Sequence, residues 1–154
     1  MLKRWFCAGL MTLVLASPAL AHNEDLHPLD QAFQQCIDLD GSTAGMHACN
    51  DRFRQYWDQE LNRYYQLLGG DRNRSLREAQ KAWIRFRDAE YQRLTAFYGQ
   101  VLELSGGGTL WPLLANSART DLIRQRVLTL QSDYQMICEM QSHCEDTPAW
   151  GWHR

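Results

Sequence analysis

The sequence has no basic stripe, no stretch that alternates apolar and polar residues as a strand does, and no glycine-rich loop followed by lysine. Without the stripe, a phosphate backbone has nothing to neutralise it, which speaks against nucleic acid as a partner. Without alternation, the chain must be built from helices. "SGGGT", Ser105 to Thr109, lacks both the lysine and the preceding strand of a phosphate cradle. No hydroxyl or thiol stands in the setting of a nucleophile. These absences point away from an enzyme and from any cofactor.

Long apolar runs are equally scarce. "WFCAGLMTLVLA" follows Lys3 and Arg4 and precedes "SPALA", with Ala19 and Ala21 at the two positions a signal peptidase reads. The run is too short to span a membrane, and Cys7 lies early in it rather than just after it, where a lipid acceptor would sit. Met1–Ala21 is therefore expected to be a cleaved secretory signal. His22–Arg154 would be a single soluble domain with no membrane span, exported to a bacterial periplasm.

Removing that signal takes two of the 16 Lys and Arg and none of the 18 Asp and Glu, moving the net charge from −2 to −4. The imbalance is uneven. His22–Asp51 holds six acids and no Lys or Arg, whereas Arg52–Tyr98 holds ten bases against six acids. An acidic segment of this kind accommodates a basic protein partner.

Four cysteines remain after the signal: Cys36, Cys49, Cys138 and Cys144. An even number in an oxidising compartment reads as two disulfides, with three possible pairings. Cys36 with Cys49 and Cys138 with Cys144 is the favoured one, because each then closes a short local loop. The spacings are not those of zinc motifs.

The rest reads as helices. "HPLDQAFQQCIDLDG" places Pro28 in a first turn and stops at Gly41. From about Thr43, Phe53, Trp57, Leu61, Tyr64, Tyr65 and Leu68 keep three- and four-residue steps until Gly69 and Gly70. Ser75 with Glu78 suggests a capping box, Leu76, Ala79, Trp83, Phe86, Leu94 and Phe97 mark the next apolar stripe, and Gly99 is a plausible stop. After "SGGGTLWP" a last helix carries Leu113, Asn116, Thr120, Ile123, Val127, Leu130, Tyr134 and Ile137 at three-four alternation. The expected fold is an all-α antiparallel helical bundle of three long helices and one short N-terminal helix, stapled by disulfides.

Arg87, Asp88 and Glu90 cluster beside the third apolar stripe. A charge there needs a partner, since an unpaired buried charge costs several kcal/mol. Asn62 and Tyr65 on the preceding helix and Arg126 on the last are the expected partners, forming a polar clamp that fixes helix register. Asp88 and Glu90 diverge by about 200° on a helix and cannot flank one glycosidic bond as a catalytic pair.

"DQELNRYYQLL", "LREAQKAWIRFRDAE", "GGTLWP" and "RQRVLTL" occur in this order between Asp58 and Leu130. Together they resemble the LprI-type lysozyme-inhibitor family of small exported domains, over roughly Cys36 to Leu130. Leu61, Asn62 and Tyr65, followed by Leu76, Gln80, Trp83, Arg87 and Asp88, carry the most specific part of the likeness. The resemblance implies a binding protein that inhibits a cell-wall hydrolase such as lysozyme by occluding its cleft. Cys36 and Cys49 match one cysteine pair of that family. Tyr91 and a position near Ala118 stand where the family usually has two further cysteines, and Ile123 where it has threonine. Cys138 and Cys144 lie beyond the resemblance and would staple the tail.

Two function classes follow. The first is the hydrolase inhibitor, met through Gly106, Gly107, Gly108, Thr109 and Trp111, where successive glycines project a loop beside one large aromatic residue. The competing role for Trp111 is to fold back and cap the bundle. The second class is a binding or scaffolding module of the envelope with another ligand, copper included, because the terminal amine and imidazole of His22, with His27 nearby, can chelate that metal.

Overall fold

The structure is a computed structural model that describes residues 26–141 and residue 144. The expected signal segment, Cys7 and His22 lie outside the described residues. Helix α1 spans Pro28–Leu39, α2 Thr43–Leu67, α3 Arg74–Leu104 and α4 Leu110–Gln141, with a 3₁₀ turn at Gly70–Arg72 between α2 and α3. Among the described residues there is no strand, and no helix is long and apolar enough to cross a membrane.

Local chemistry accounts for the helix ends. Pro28 opens α1, where its missing N–H removes no bond, and the Leu29 N–H donates to His27 Nδ1 at 3.1 Å. Ser42 caps α2 by accepting from the Gly45 N–H at 3.0 Å. The expected capping box at Ser75 and Glu78 does not form. Asn73 caps α3 instead, its Oδ1 accepting from the Leu76 N–H at 3.1 Å, so Ser75 lies inside the helix. Nor does Gly99 stop α3. One glycine costs a helix about 1 kcal/mol, and the helix continues through the half-buried Val101 and Leu102 to Leu104.

The core is the seam between α2 and α4, roofed by α1. Phe53, Trp57, Leu61 and Tyr64 of α2 meet Ile123, Val127 and Leu130 of α4, with Leu29 and Ala32 of α1 against them. Each large side chain so buried contributes about 1.5–3 kcal/mol. Contacts advance together along α2 and α4, from Asn50 with Ser117 to Tyr64 with Tyr134. They run in opposite order along α3 and α4, where Thr95 meets Arg119 and Gln80 meets Arg126.

Two parts of the sequence pattern need correction. The apolar stripe of α3 is rotated from its expected course: Phe86 is 54% and Phe97 49% exposed, and Leu94 is the helix's one buried residue. The half-buried face carries Leu76, Gln80, Trp83, Arg87, Glu90 and Tyr98 instead. Near the end of α4, Ile137 is exposed and Cys138 takes the buried position.

Covalent and ionic links fasten α1 and the tail. Cys36 is joined to Cys49, with Cα atoms 6.0 Å apart, and Cys138 to Cys144 at 5.4 Å. The 13-residue separation of the first bridge corresponds to about 3 kcal/mol of loop entropy. Arg124 of α4 grips Asp30 of α1 with two hydrogen bonds of 2.7 Å, and its guanidinium lies 5.8 Å from the Trp57 ring. Glu60, almost wholly buried, accepts hydrogen bonds of 2.8–3.2 Å from Arg63.

The Asp30–Arg124 pair is mostly shielded, so Asp30→Asn should lower stability by about 2 kcal/mol in urea unfolding, and a change within error would show the pair to be energetically idle. His27 makes the fold sensitive to pH. Burial outweighs the attraction of Asp30 and Glu60 and holds its imidazole below the usual 6.5. The unfolded chain then takes up the proton more readily, so this part of the stability is complete above pH 6.5 and lost as pH falls through the depressed value. His27→Ser, which retains a capping oxygen, should flatten that decline in unfolding curves collected from about pH 7 to 5.

Candidate functional site

Helix α3 rests on α4 and on the 3₁₀ turn but stands off α2. The α3 face turned toward α2 is largely polar, carrying Arg77, Gln80, Lys81 and Arg87, while the apolar Phe86 and Phe97 are exposed elsewhere on the helix and Leu94 is its one buried residue. The result is a groove of about 350 Å³ between α2 and α3. Its α2 wall carries Asp58, Leu61, Asn62 and Tyr65, at helical steps of three and four. Its α3 wall carries Arg77, Gln80, Lys81, Trp83, Ile84 and Arg87 at the same steps, and Asp71 closes one end.

The polar groups of this groove differ in how far they are engaged. Tyr65 donates its hydroxyl to Asp71 at 2.8 Å. Gln80 accepts from Arg126 Nε at 3.1 Å, which fixes its carbonyl oxygen and leaves its amide NH₂ as a donor. Arg77 Nη1 donates to the Asp71 carbonyl at 3.1 Å, and Lys81 approaches Glu78 at 3.3 Å. The Arg77 Nε stands 3.5 Å from Glu78 but makes no hydrogen bond. Burial pushes the Asp58 carboxyl above the usual carboxylate range, only partly offset by Arg54 and Arg87.

The sequence-predicted residues divide between this groove and its surroundings. Asn62, Tyr65, Trp83 and Arg87 come together on its walls. Asp88 and Glu90 do not, and the expected inter-helix clamp is replaced by pairs within α3. Arg87 pairs with its neighbour Asp88 at 2.7 Å and lies 5.5 Å from the Trp83 ring and 5.7 Å from the Tyr91 ring. Glu90 pairs with Arg93 at 2.7 Å rather than facing a buried seam. Arg126 reaches Gln80 from α4 and touches none of the three charges predicted for it. For Glu90 the physical cause is proximity: Arg93, three residues on along the same helix face, reaches it before a side chain of another helix does. Sequence reasoning had not singled out Asp58, Arg77 and Lys81, although their spacing from Asn62 and Gln80 was the available signal.

The glycine loop lies far from the groove. Arg87 precedes Leu104 by about 25 Å of helix. At the end of α3 the Gly107 N–H donates to the Leu102 carbonyl at 2.9 Å and the Gly106 N–H to Glu103 at 3.2 Å, a pair of bonds that reverses the chain. Gly106, Gly107 and Gly108 have φ of 75°, 106° and 115°, values that favour glycine. These three and Thr109 are exposed, and nothing lies within 4 Å of a Cβ placed on any of the glycines. Trp111 is half-buried in the first turn of α4, flanked by the exposed Leu110.

Residues 36–130 match a family model described as "Lysozyme inhibitor LprI". The chain belongs to the lysozyme inhibitor LprI family. The LprI match takes in both walls of the groove and the whole glycine loop. No curated protein and no solved structure matches the chain. The two positions at which the resemblance implies cysteines face one another across α3 and α4: Tyr91 donates its hydroxyl to the Arg119 carbonyl, next to Ala118, at 3.3 Å. Among the described residues no three His, Cys, Asp or Glu side chains converge as a metal site.

Arg87→Ala tests the revised view of the charge cluster. The Arg87 side chain is 26% and its partner Asp88 55% exposed, and a pair so wetted is worth at most about 1 kcal/mol. Together with the ring contacts, the expected loss in urea unfolding is under about 1.5 kcal/mol. A loss of about 3 kcal/mol or more would reinstate an inter-helix clamp.

Proposed function

We propose that the protein is exported to the periplasm, beginning at His22, and inhibits a cell-wall hydrolase, with lysozyme as the target, by occluding its substrate cleft with the loop at the α3–α4 junction. Family membership carries the inhibitory reading, and the geometry of the loop supports this surface. Two disulfides are consistent with an oxidising compartment.

A cleft-filling element must be narrow, projecting and apolar at its sides. Gly106–Gly108 bring bare backbone to the tip, and the hydrogen bonds to Leu102 and Glu103 anchor its root. Leu104, 82% exposed, and Leu110 provide apolar flanks, with Trp111 just behind. The Asn50–Ser117 bond lies seven residues into both α2 and α4, so both helices start at this same end of the molecule. The turn between α1 and α2 is therefore near the loop and brings the exposed Asp38, Leu39 and Asp40 with it, while Glu103 adds a fourth exposed group. An acidic, apolar tip of this kind complements a cleft with a basic rim.

Trp111→Ala should weaken inhibition of lysozyme turnover about tenfold or more, equivalent to about 1.4 kcal/mol, with the melting temperature nearly unchanged. Leu104→Glu serves as a second variant, because so exposed a side chain contributes little to folding. Unaltered inhibition by both variants would move the contact surface away from the loop. A collapsed melting temperature in Trp111→Ala alone would assign that ring to capping α4.

A further inference from the structure

We propose that the groove between α2 and α3 is a second binding site, for a short extended peptide that carries a carboxylate. This inference does not depend on the inhibitor reading. Its volume of about 350 Å³ lies in the range of ligand sites, and its walls combine an apolar floor with a few converging polar groups. From Arg77 to Arg87 the α3 wall is about 15 Å long, and from Asp58 to Tyr65 the α2 wall about 10 Å. At about 3.3 Å per extended residue, that length holds three or four residues of peptide.

The chemistry of the walls selects the occupant. Asn62 on α2 makes no hydrogen bond to a described residue, and Gln80 on α3 keeps its NH₂ as a donor. Two carboxamides on opposing walls suit a peptide backbone, which offers N–H and C=O groups in alternation. Trp83 and Ile84 supply an apolar patch for one side chain. Three cations, Arg77, Lys81 and Arg87, line the groove with Asp58 and Asp71; Asp71 is engaged by the Tyr65 hydroxyl, Arg87 by Asp88, and Lys81 and Arg77 lie near the exposed Glu78. Lys81 holds Glu78 only through an exposed contact, so a ligand carboxylate can compete for it at little cost. A neutral sugar would gain no charge pairing with Lys81. A phosphate group, with its higher charge, would meet the Asp58 carboxylate on the opposite wall.

The test uses the full oxidised mature chain and two synthetic probes, acetyl-Ala-Leu-Ala-Glu and acetyl-Ala-Leu-Ala-Lys-amide, titrated by calorimetry and by amide NMR shifts. The acidic peptide should bind about tenfold more tightly than the basic one, with shifts centred on the α2 and α3 walls. Asn62→Ala should weaken the acidic peptide about fivefold, and Lys81→Glu should abolish its advantage. Both residues are exposed, so the melting temperature should not move. Lysozyme inhibition by Asn62→Ala should equal the parent's, which scores this site apart from the loop. Equal binding of the two peptides, no binding of either, or full binding by Asn62→Ala would each overturn the proposal.

Discussion

The bond between Asp30 and Arg124 closes the molecule, tying its first helix to its last across 94 residues of sequence. Trp57 lies beneath it, with the Arg124 guanidinium 5.8 Å from its ring and the His27 ring tilted against it at 4.6 Å. One buried indole thus receives α1, α2 and α4 together. The Cys36–Cys49 bridge fastens the other end of α1 to α2, so this short helix is pinned at both ends. A helix of 12 residues is marginal alone in water and gains its stability from such docking. The pinned helix completes the burial of Phe53, Trp57 and Leu61, and through them the α2–α4 seam.

That seam also determines what α3 can be. The strongest apolar positions of α2 and α4 face one another and α1, leaving α3 a shoulder of α4 to rest on. The polar and aromatic side of α3 then faces α2 across open space rather than through close packing, and the groove follows. Its opposite side exposes Phe86 and Phe97. The fold therefore separates two surfaces of different character: an acidic, glycine-rich tip and a groove whose cations outnumber its carboxylates. A basic cleft would be drawn to the first and a carboxylate to the second.

Much of the fold was legible because its strongest signals were local. Pro28, Gly41 and Gly69 bracketed α1 and α2, and Phe53, Trp57, Ile123, Val127 and Leu130 kept a step that only a buried helix face explains. The α3 stripe was read less well. Ala79, Phe86 and Phe97 are apolar at helical spacing, yet the burying surface of α4 meets the adjacent face, where Gln80 and Arg87 lie. Periodicity locates a face but not which of two adjacent faces finds a neighbour. The cap of α3 was misplaced because Asn73 and Ser75 are both good capping residues, and only backbone geometry chooses between them. Asp30 and Arg124 carried no sequence signal of their meeting, since nothing local relates residues so far apart. Of the residues expected to form a clamp, Asn62, Tyr65, Trp83 and Arg87 line the groove, whereas Asp88, Glu90 and Arg126 do not.

Side-chain contacts join α3 to α4 where the family resemblance implies a covalent link. Where the family resemblance implies a disulfide, Tyr91 donates to the Arg119 carbonyl, Arg119 stacks 5.8 Å from the Tyr91 ring, and the guanidinium reaches Thr95. A disulfide would hold the two backbones near 5.5–6 Å between Cα atoms. Here the two helices approach closely through side-chain contacts instead. Leu94 is the buried anchor within the same stretch of α3. Toward the N-terminal half of α3, Gln80 accepts a hydrogen bond from Arg126 of α4. Helix α3 is thus committed to α4, and the space beside α2 stays open.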